Sequence, residues 1–190
     1  MIKESGVKRV QRGELLDYLT YGERREAIRA SAMAAKEVRR VHAGEHLTFL
    51  FENTETQRYQ IQEMIRVEQL VREQDIVHEL DTYNALLGEE GDLGCTLLLE
   101  IEDEEVRADL LHRWRDLPGH VFLRLEDGRA VPAHWDEGQI GEEKLSSVQF
   151  LLFAAGRGAR PAGLVVNHPA LALEVMFSRR TGEALAEDLA

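Results

Sequence analysis

Between Gln60 and Asn84 the chain reads QIQEMIRVEQLVREQDIVHELDTYN, and its helical spacing places one carboxylate, Glu68, in a stripe formed by Ile61, Met64 and Ile65. A carboxylate in an apolar stripe is costly unless it is paired. Three chemistries fit such a position. Glu68 and Arg72 stand at i, i+4, the favourable order for a helical ion pair that only holds the fold. Alternatively, Glu68 is a metal ligand, or an acid or base with a raised pKa in a polar pocket.

Other residue types that do chemistry are sparse. Asp75-x-x-His78, with Glu79 alongside, resembles half of a helical carboxylate–histidine metal site, but such di-metal sites use the motif twice and the chain supplies no convincing second copy. The seven histidines form no His-Glu-x-x-His pattern, and one cysteine excludes a Cys/His zinc cluster. His120 and His134 flank a hairpin signal. With Asp127-Gly128 as a two-residue turn, His120 falls opposite Trp135 and His134 opposite Val121, so the two rings face opposite ways unless a bulge at Pro132 turns them together. His78, Glu79, His120, His134 and His168 are therefore the metal candidates, against a simpler reading of ordinary hydrogen-bonded histidines and a structural turn at Asn167–Pro169. Cys95 sits in an apolar run and reads as a buried, inert thiol. Ser146 and Ser147 lie in no Gly-x-Ser-x-Gly elbow, and no Gly-x-Gly-x-x-Gly follows a strand. AGRGARPAG has the glycines and arginines of an anion loop but lacks the Lys-Ser/Thr ending, and reads as a flexible connection.

The elements that must position these groups follow from pattern. GELLDYLTYGERREAIRASAMAAKEVRRV is rich in helix formers, with Gly22 expected to divide it and Gly44 to end it. HLTFLFEN reads as a buried strand, followed by an Asn53 or Thr54 cap and a helix to about Gln74. A second helix then runs to Gly88. LGCTLLLEIED is a strand and DEEVRADLLHRWRDL a helix, with acids at its start and bases near its end. HVFLRLEDGRAVPAHW is a hairpin with a type I′ turn, its Pro132 strand at an edge. SSVQFLLFAAG, LVVNHP and ALEVMFS are further strands, and TGEALAEDLA is a closing helix. Helices dominate the first half and hairpin-linked strands the second. The expected fold is α+β: a largely antiparallel sheet with helices on one face, residues 1–44 forming an N-terminal helical arm and 45–190 the core of one domain.

Composition narrows the class. A chain of 190 residues with 44% hydrophobic content can bury a core without staples. A net charge of -12 repels phosphate backbones and argues against a nucleic-acid partner. No stretch approaches the roughly 20 apolar residues of a membrane span, and the N-terminus lacks the apolar run of a signal peptide. A cytoplasmic, bacterium-like setting is expected. The basic run from Arg24 to Arg40 reads as a solvated helix face or as a docking face for an acidic partner or a second copy of the chain.

Taken together, EHLTFLFENTETQRYQIQEMIRVEQLVREQDIVHELDTYNALLG, LLLEIED, the hairpin region and VNHPAL resemble a bacterial family filed as a domain of unknown function. The resemblance covers nearly the whole chain and is strongest from Glu45 to Asn84. It carries no established activity. It implies a setting near rubrerythrin-like proteins and iron–sulfur proteins resembling heterodisulfide reductase subunits, and so a link to redox or peroxide-stress metabolism. Within the segment that carries it, Tyr83 and Asn84 share a helix side with Ile76, Leu80 and Leu87, where an Asn needs partners. The simplest arrangement joins Asn84 to Glu68, with Arg66 or Arg72. Arg66, Glu68, Arg72, Tyr83 and Asn84 thus form a candidate polar cluster, either a fold-specifying network or the lining of a ligand pocket. The expected function is a non-enzymatic accessory or small-ligand-binding protein of redox metabolism, self-associating or bound to a protein partner. The alternative is a metal-binding protein or metalloenzyme. No cofactor is indicated by motif, although a bound metal is compatible with the histidines.

Overall fold

The computed structural model describes residues 9–139, 141 and 143–190. Its strands form two four-stranded antiparallel sheets rather than the single sheet the pattern suggests. The first has the order β1-β2-β3-β6, with β1 at Arg40–Ala43, β2 at Leu47–Phe51, β3 at Asp92–Leu99 and β6 at Val148–Ala154. The second has the order β5-β4-β7-β8, from Val121–Leu125 (β4), Ala130–Pro132 (β5), Pro161–His168 (β7) and Leu171–Met176 (β8). Alternation along each strand sends one set of side chains inward. Phe49, Phe51, Leu97 and Phe153 from the first sheet meet Val121, Leu123, Leu164 and Val166 from the second in one continuous core. The sheets touch along both seams. A lone bridge pairs His134 with Leu152, and β1 packs against β8. The fold is α+β.

Five α-helices complete it among the described residues: α1 (Tyr18–Glu37), α2 (Thr54–Val67), α3 (Glu73–Ala85), α4 (Glu104–Arg113) and α5 (Arg179–Asp188). Asp17 caps α1 by accepting from the Leu19 and Thr20 amides, and the helix runs unbroken through Gly22. A single interior glycine costs only about 1 kcal/mol, and burial of Tyr21 and Ala32 offsets it. The helical expectation fails after Glu37. Arg40–Ala43 is β1, paired with β2, so the segment 1–44 ends inside the sheet. The α1 helix folds back on its own chain. Glu63 of α2 accepts from the Tyr21 hydroxyl at 2.6 Å and from Arg25 at 2.8 and 3.0 Å. Arg39 forms a two-pronged ion pair with Asp188 of α5, both side chains being largely buried.

The long helix stops earlier than its pattern suggests. Gln69 adopts φ +51°, the Leu70 amide returns to the Ile65 carbonyl and the Gln69 amide to that of Arg66. This is a Schellman stop, with Leu70 packed on the cluster that contains Ile65. That second cluster holds Val10, Leu15, Ile61, Ile65, Ile76 and Leu80, and two side-chain amides fasten residues 10–16 over it. Asn84 accepts from the Val10 amide at 2.8 Å and donates to its carbonyl at 3.0 Å. Gln62 brackets Leu16 in the same way, at 2.6 and 3.0 Å.

Two local expectations shift by small amounts. The β4–β5 turn is a three-residue loop, with the Leu125 amide bonded to Arg129 and only Gly128 at positive φ. The Asp127 carboxylate accepts from the Arg129 amide and favours this form over type I′. Register moves by one accordingly, pairing Phe122 with Pro132, and β5 is an edge strand as the proline requires. The end of the glycine–arginine connection, Pro161–Gly163, belongs to β7.

The end of α3 sits directly on the outer face of β3. At Gly94 an added Cβ would lie 1.9 Å from the Leu86 carbonyl oxygen, so only glycine permits this approach. The contact sets the distance between α3 and the sheet, and with it the depth of the cleft described next.

Candidate functional site

The polar cluster expected around Glu68 does not assemble. Glu68 is the exposed C-cap of α2, and Arg72 is an exposed N-cap of α3, so the two no longer share a helix and make no i, i+4 pair. Asn84 is buried, but its partners are the two backbone groups of Val10 rather than Glu68. Arg66 turns to Glu63 at 3.1 Å. The stripe assignment fails because α2 ends at Val67, before Glu68 completes another helical turn. Tyr83 alone of the five lines a cavity. Its phenol is raised above the ordinary value, chiefly by burial, with Glu79 and Glu68 adding to the shift and Gln60 opposing it.

The cavity that Tyr83 borders has a volume of 630 Å³ and lies on the outer face of the first sheet. Thr82, Ala85 and Leu86 of α3 form one wall, Phe150 and Leu152 of β6 the floor, and His134, Trp135 and Asp136 the opposite wall. At its deep end stands a residue that the sequence reading passed over. Glu52 is 8% exposed and accepts from the Thr56 hydroxyl at 2.6 Å and the Thr96 hydroxyl at 2.9 Å. Among the described residues no cation lies within ion-pair distance of it. Lys36, at the rim of an adjoining cleft, places its ammonium over the Tyr59 ring at 5.4 Å instead. Glu52, Tyr83 and Thr96 border both cavities. Gln57, 2% exposed, lines the adjoining one and carries a buried Oε1 without a hydrogen-bond partner. Cys95 also borders the main cavity. Burial, then the Glu52 charge, hold its thiol well above the ordinary value, so it stays protonated.

Strand geometry explains why Glu52 points this way. The inward set of β2 is Phe49 and Phe51, so the next residue falls on the outer face beside Leu50 and Thr96. Its amide continues the ladder to the Gly94 carbonyl. Asn53 then caps α2, which brings the Thr56 hydroxyl back over the carboxylate. The available signal was a carboxylate directly after a fully buried strand and directly before a helix cap.

The metal candidates separate into three groups. His78 is exposed on α3, with Glu79 partly exposed nearby. His134 is exposed at the cavity rim, held by its backbone bridge to Leu152. His120 and His168 do come together, around an aspartate that the spacing did not reveal. Asp116 contacts His168 Nε2 at 3.0 Å and His120 Nε2 at 3.2 Å, and the two rings stand edge to face with centroids 5.0 Å apart. Asp116 caps a 3₁₀ turn at Leu117–His120 that ends on His120, while His168 ends β7, 5% exposed. The Asp116 carboxyl is held below its ordinary value, first by the His168 hydrogen bond. The Ala170 amide donates to His168 Nδ1 at 3.1 Å, which places the proton of the neutral ring on Nε2, facing Asp116.

A family model described as a protein of unknown function (DUF3501) matches residues 9–189. A crystal structure of a protein of unknown function from Burkholderia pseudomallei K96243 is similar over 95% of this chain and 99% of that one, with a TM-score of 0.86 and 34% identity. No curated protein matches the sequence. No helix among the described residues is long and apolar enough to cross a membrane.

Proposed function

The chain belongs to the DUF3501 family, and for this member we propose a small-ligand-binding role, with the cleft between α3 and the β5–β6 seam as the binding site. The observation that carries this reading is Glu52: a carboxylate only 8% exposed, fixed by two hydroxyls, on the wall of a mostly apolar cavity. A buried charge without a cation is expensive for the fold. A ligand with a cationic or hydrogen-bond-donating head and an apolar body removes that cost. The cavity volume of 630 Å³ falls within the roughly 300–1,000 Å³ common for small-molecule sites. The amine group would meet Glu52, and the body would lie on Phe150 and Leu152.

The redox setting implied by the sequence resemblance supports an accessory role, in which the protein senses a ligand or delivers it to a redox partner. The protonated, fully buried Cys95 supports an accessory part over thiol redox chemistry in this chain. Titration calorimetry with 2-phenylethylamine and with its neutral counterpart 2-phenylethanol tests the site. The expected result is saturable binding of the amine, weaker binding of the alcohol, and loss of the difference in Glu52→Gln. Equal binding of the two, or amine binding indifferent to Glu52→Gln, overturns the reading.

A further inference from the structure

We propose that Asp116, His120 and His168 form a binding site for a first-row divalent transition metal, separate from the Glu52 cleft. Among the described residues they are the one group of three metal-ligating side chains whose donor atoms lie within 4.8 Å of one another. The spacing suits coordination. Ligands about 2.0–2.2 Å from a tetrahedral ion lie about 3.3–3.5 Å apart. The Asp116 oxygens stand 3.0 Å and 3.2 Å from the two Nε2 atoms, so a metal needs only a small outward adjustment. Two imidazoles and one carboxylate favour zinc, cobalt, nickel or ferrous iron over magnesium or calcium, which take all-oxygen shells.

The scaffold holds the donors. Pro118 stiffens the 3₁₀ turn between Asp116 and His120. The β7–β8 hairpin turn fixes His168 against it, with His168 paired to Leu171. The Asp116 side chain is 72% exposed, so ions enter from solvent and water completes the shell.

One contact resists metal. Coordination at His168 Nε2 displaces the proton that Nε2 now carries. The ring must then hold a proton on Nδ1, and the Ala170 amide bond at 3.1 Å is given up. The site is therefore a reversible one of moderate affinity rather than a permanent structural centre.

Equilibrium dialysis and cobalt(II) absorption on metal-free protein test the proposal. The expected result is about one cobalt per chain, with visible d–d bands, displaced by zinc. Asp116→Asn and His120→Gln, both at surface-accessible positions, should each weaken cobalt binding by about tenfold or more while leaving the circular dichroism unchanged. The Trp135 ring packs over Gly119, between two of the ligands, so copper(II) should quench its fluorescence in the parent and much less in Asp116→Asn. The Glu52→Gln variant should bind cobalt as the parent does, which separates this site from the cleft. Absence of cobalt binding at about 100 µM, roughly 5–6 kcal/mol of affinity, overturns the proposal. So does binding that neither substitution alters.

Discussion

Asn84 satisfies both backbone groups of Val10 with one side-chain amide, accepting at 2.8 Å and donating at 3.0 Å across 74 residues of sequence. Asn84 stands one residue before the end of α3 and Val10 one beyond the first described residue, and the pair fastens the segment before α1 to the α2–α3 unit. Asn84→Ala removes both bonds inside a buried site. The expected cost is about 2–3 kcal/mol, with early protease cleavage near residues 10–16 while the sheets remain resistant. Limited proteolysis followed by mass spectrometry reads this directly; a variant cut no faster than the parent would show the amide to be dispensable.

Acid should release the α1 helix before it unfolds the sheets. The Glu63 carboxyl is held at about 2, against an ordinary 4.5, first by the Arg25 hydrogen bonds, with Tyr21 and Arg66 adding to the effect. A depressed carboxylate contributes its full stabilisation above its unfolded value and loses it as pH falls toward the folded one. The loss therefore runs from about pH 4.5 down to about 2. Allowing for solvent screening, it amounts to about 1–2 kcal/mol. Denaturant melts of parent and Glu63→Gln should differ markedly at pH 7, less at pH 3, and converge near pH 2.

Gly94→Ala should destabilise the protein by about 2–3 kcal/mol, since the new methyl lies 1.9 Å from a backbone oxygen that cannot rotate away. Relief comes only by lifting the end of α3 from β3, which also reshapes the wall formed by Ala85 and Leu86. Thermal denaturation measures the first effect, and weakened 2-phenylethylamine binding the second. A Tm equal to that of the parent would contradict the packing described.

Glu52→Leu makes the opposite prediction for stability. It removes a buried charge without a cation and adds apolar surface to an apolar cavity. Thr56 keeps an alternative acceptor in the Asn53 carbonyl at 3.1 Å. Stability should be unchanged or higher by up to about 2 kcal/mol, while amine binding is lost. A large destabilisation would instead identify Glu52 as a structural residue.

Much of the fold was legible in the sequence because strong patterns coincided with real elements. LTFLF, LGCTLLL and VQFLLFA are strands, and Asn53 caps α2. The pieces that were not legible depended on tertiary contacts. Arg40–Ala43 reads as helix on propensity, yet it pairs with Leu47–Leu50. Glu68 falls on an apolar stripe only if the helix continues, and the stop at Gln69 uses a non-glycine residue at positive φ, which carries no sequence signal. The Asp116–His168 contact joins groups 52 residues apart and depends on the seating of β7 against the 3₁₀ turn. His120 and His168 were recognisable as candidates by residue type, and their convergence was not. Glu52 was hidden by its neighbours, because a run of buried residues gives no hint of which face opens to a cavity.

The amide clasp on Val10 also has a consequence for biosynthesis. Residues 10–16 leave the ribosome before α2 and α3, and their two fastening side chains lie 46 and 74 residues further along. At about 5–20 residues per second, Val10 and Leu15 wait several seconds or more with no surface of their own chain to cover them. During that interval these apolar side chains are open to any factor that binds exposed apolar segments, and slow codons between positions 16 and 84 would lengthen the exposure.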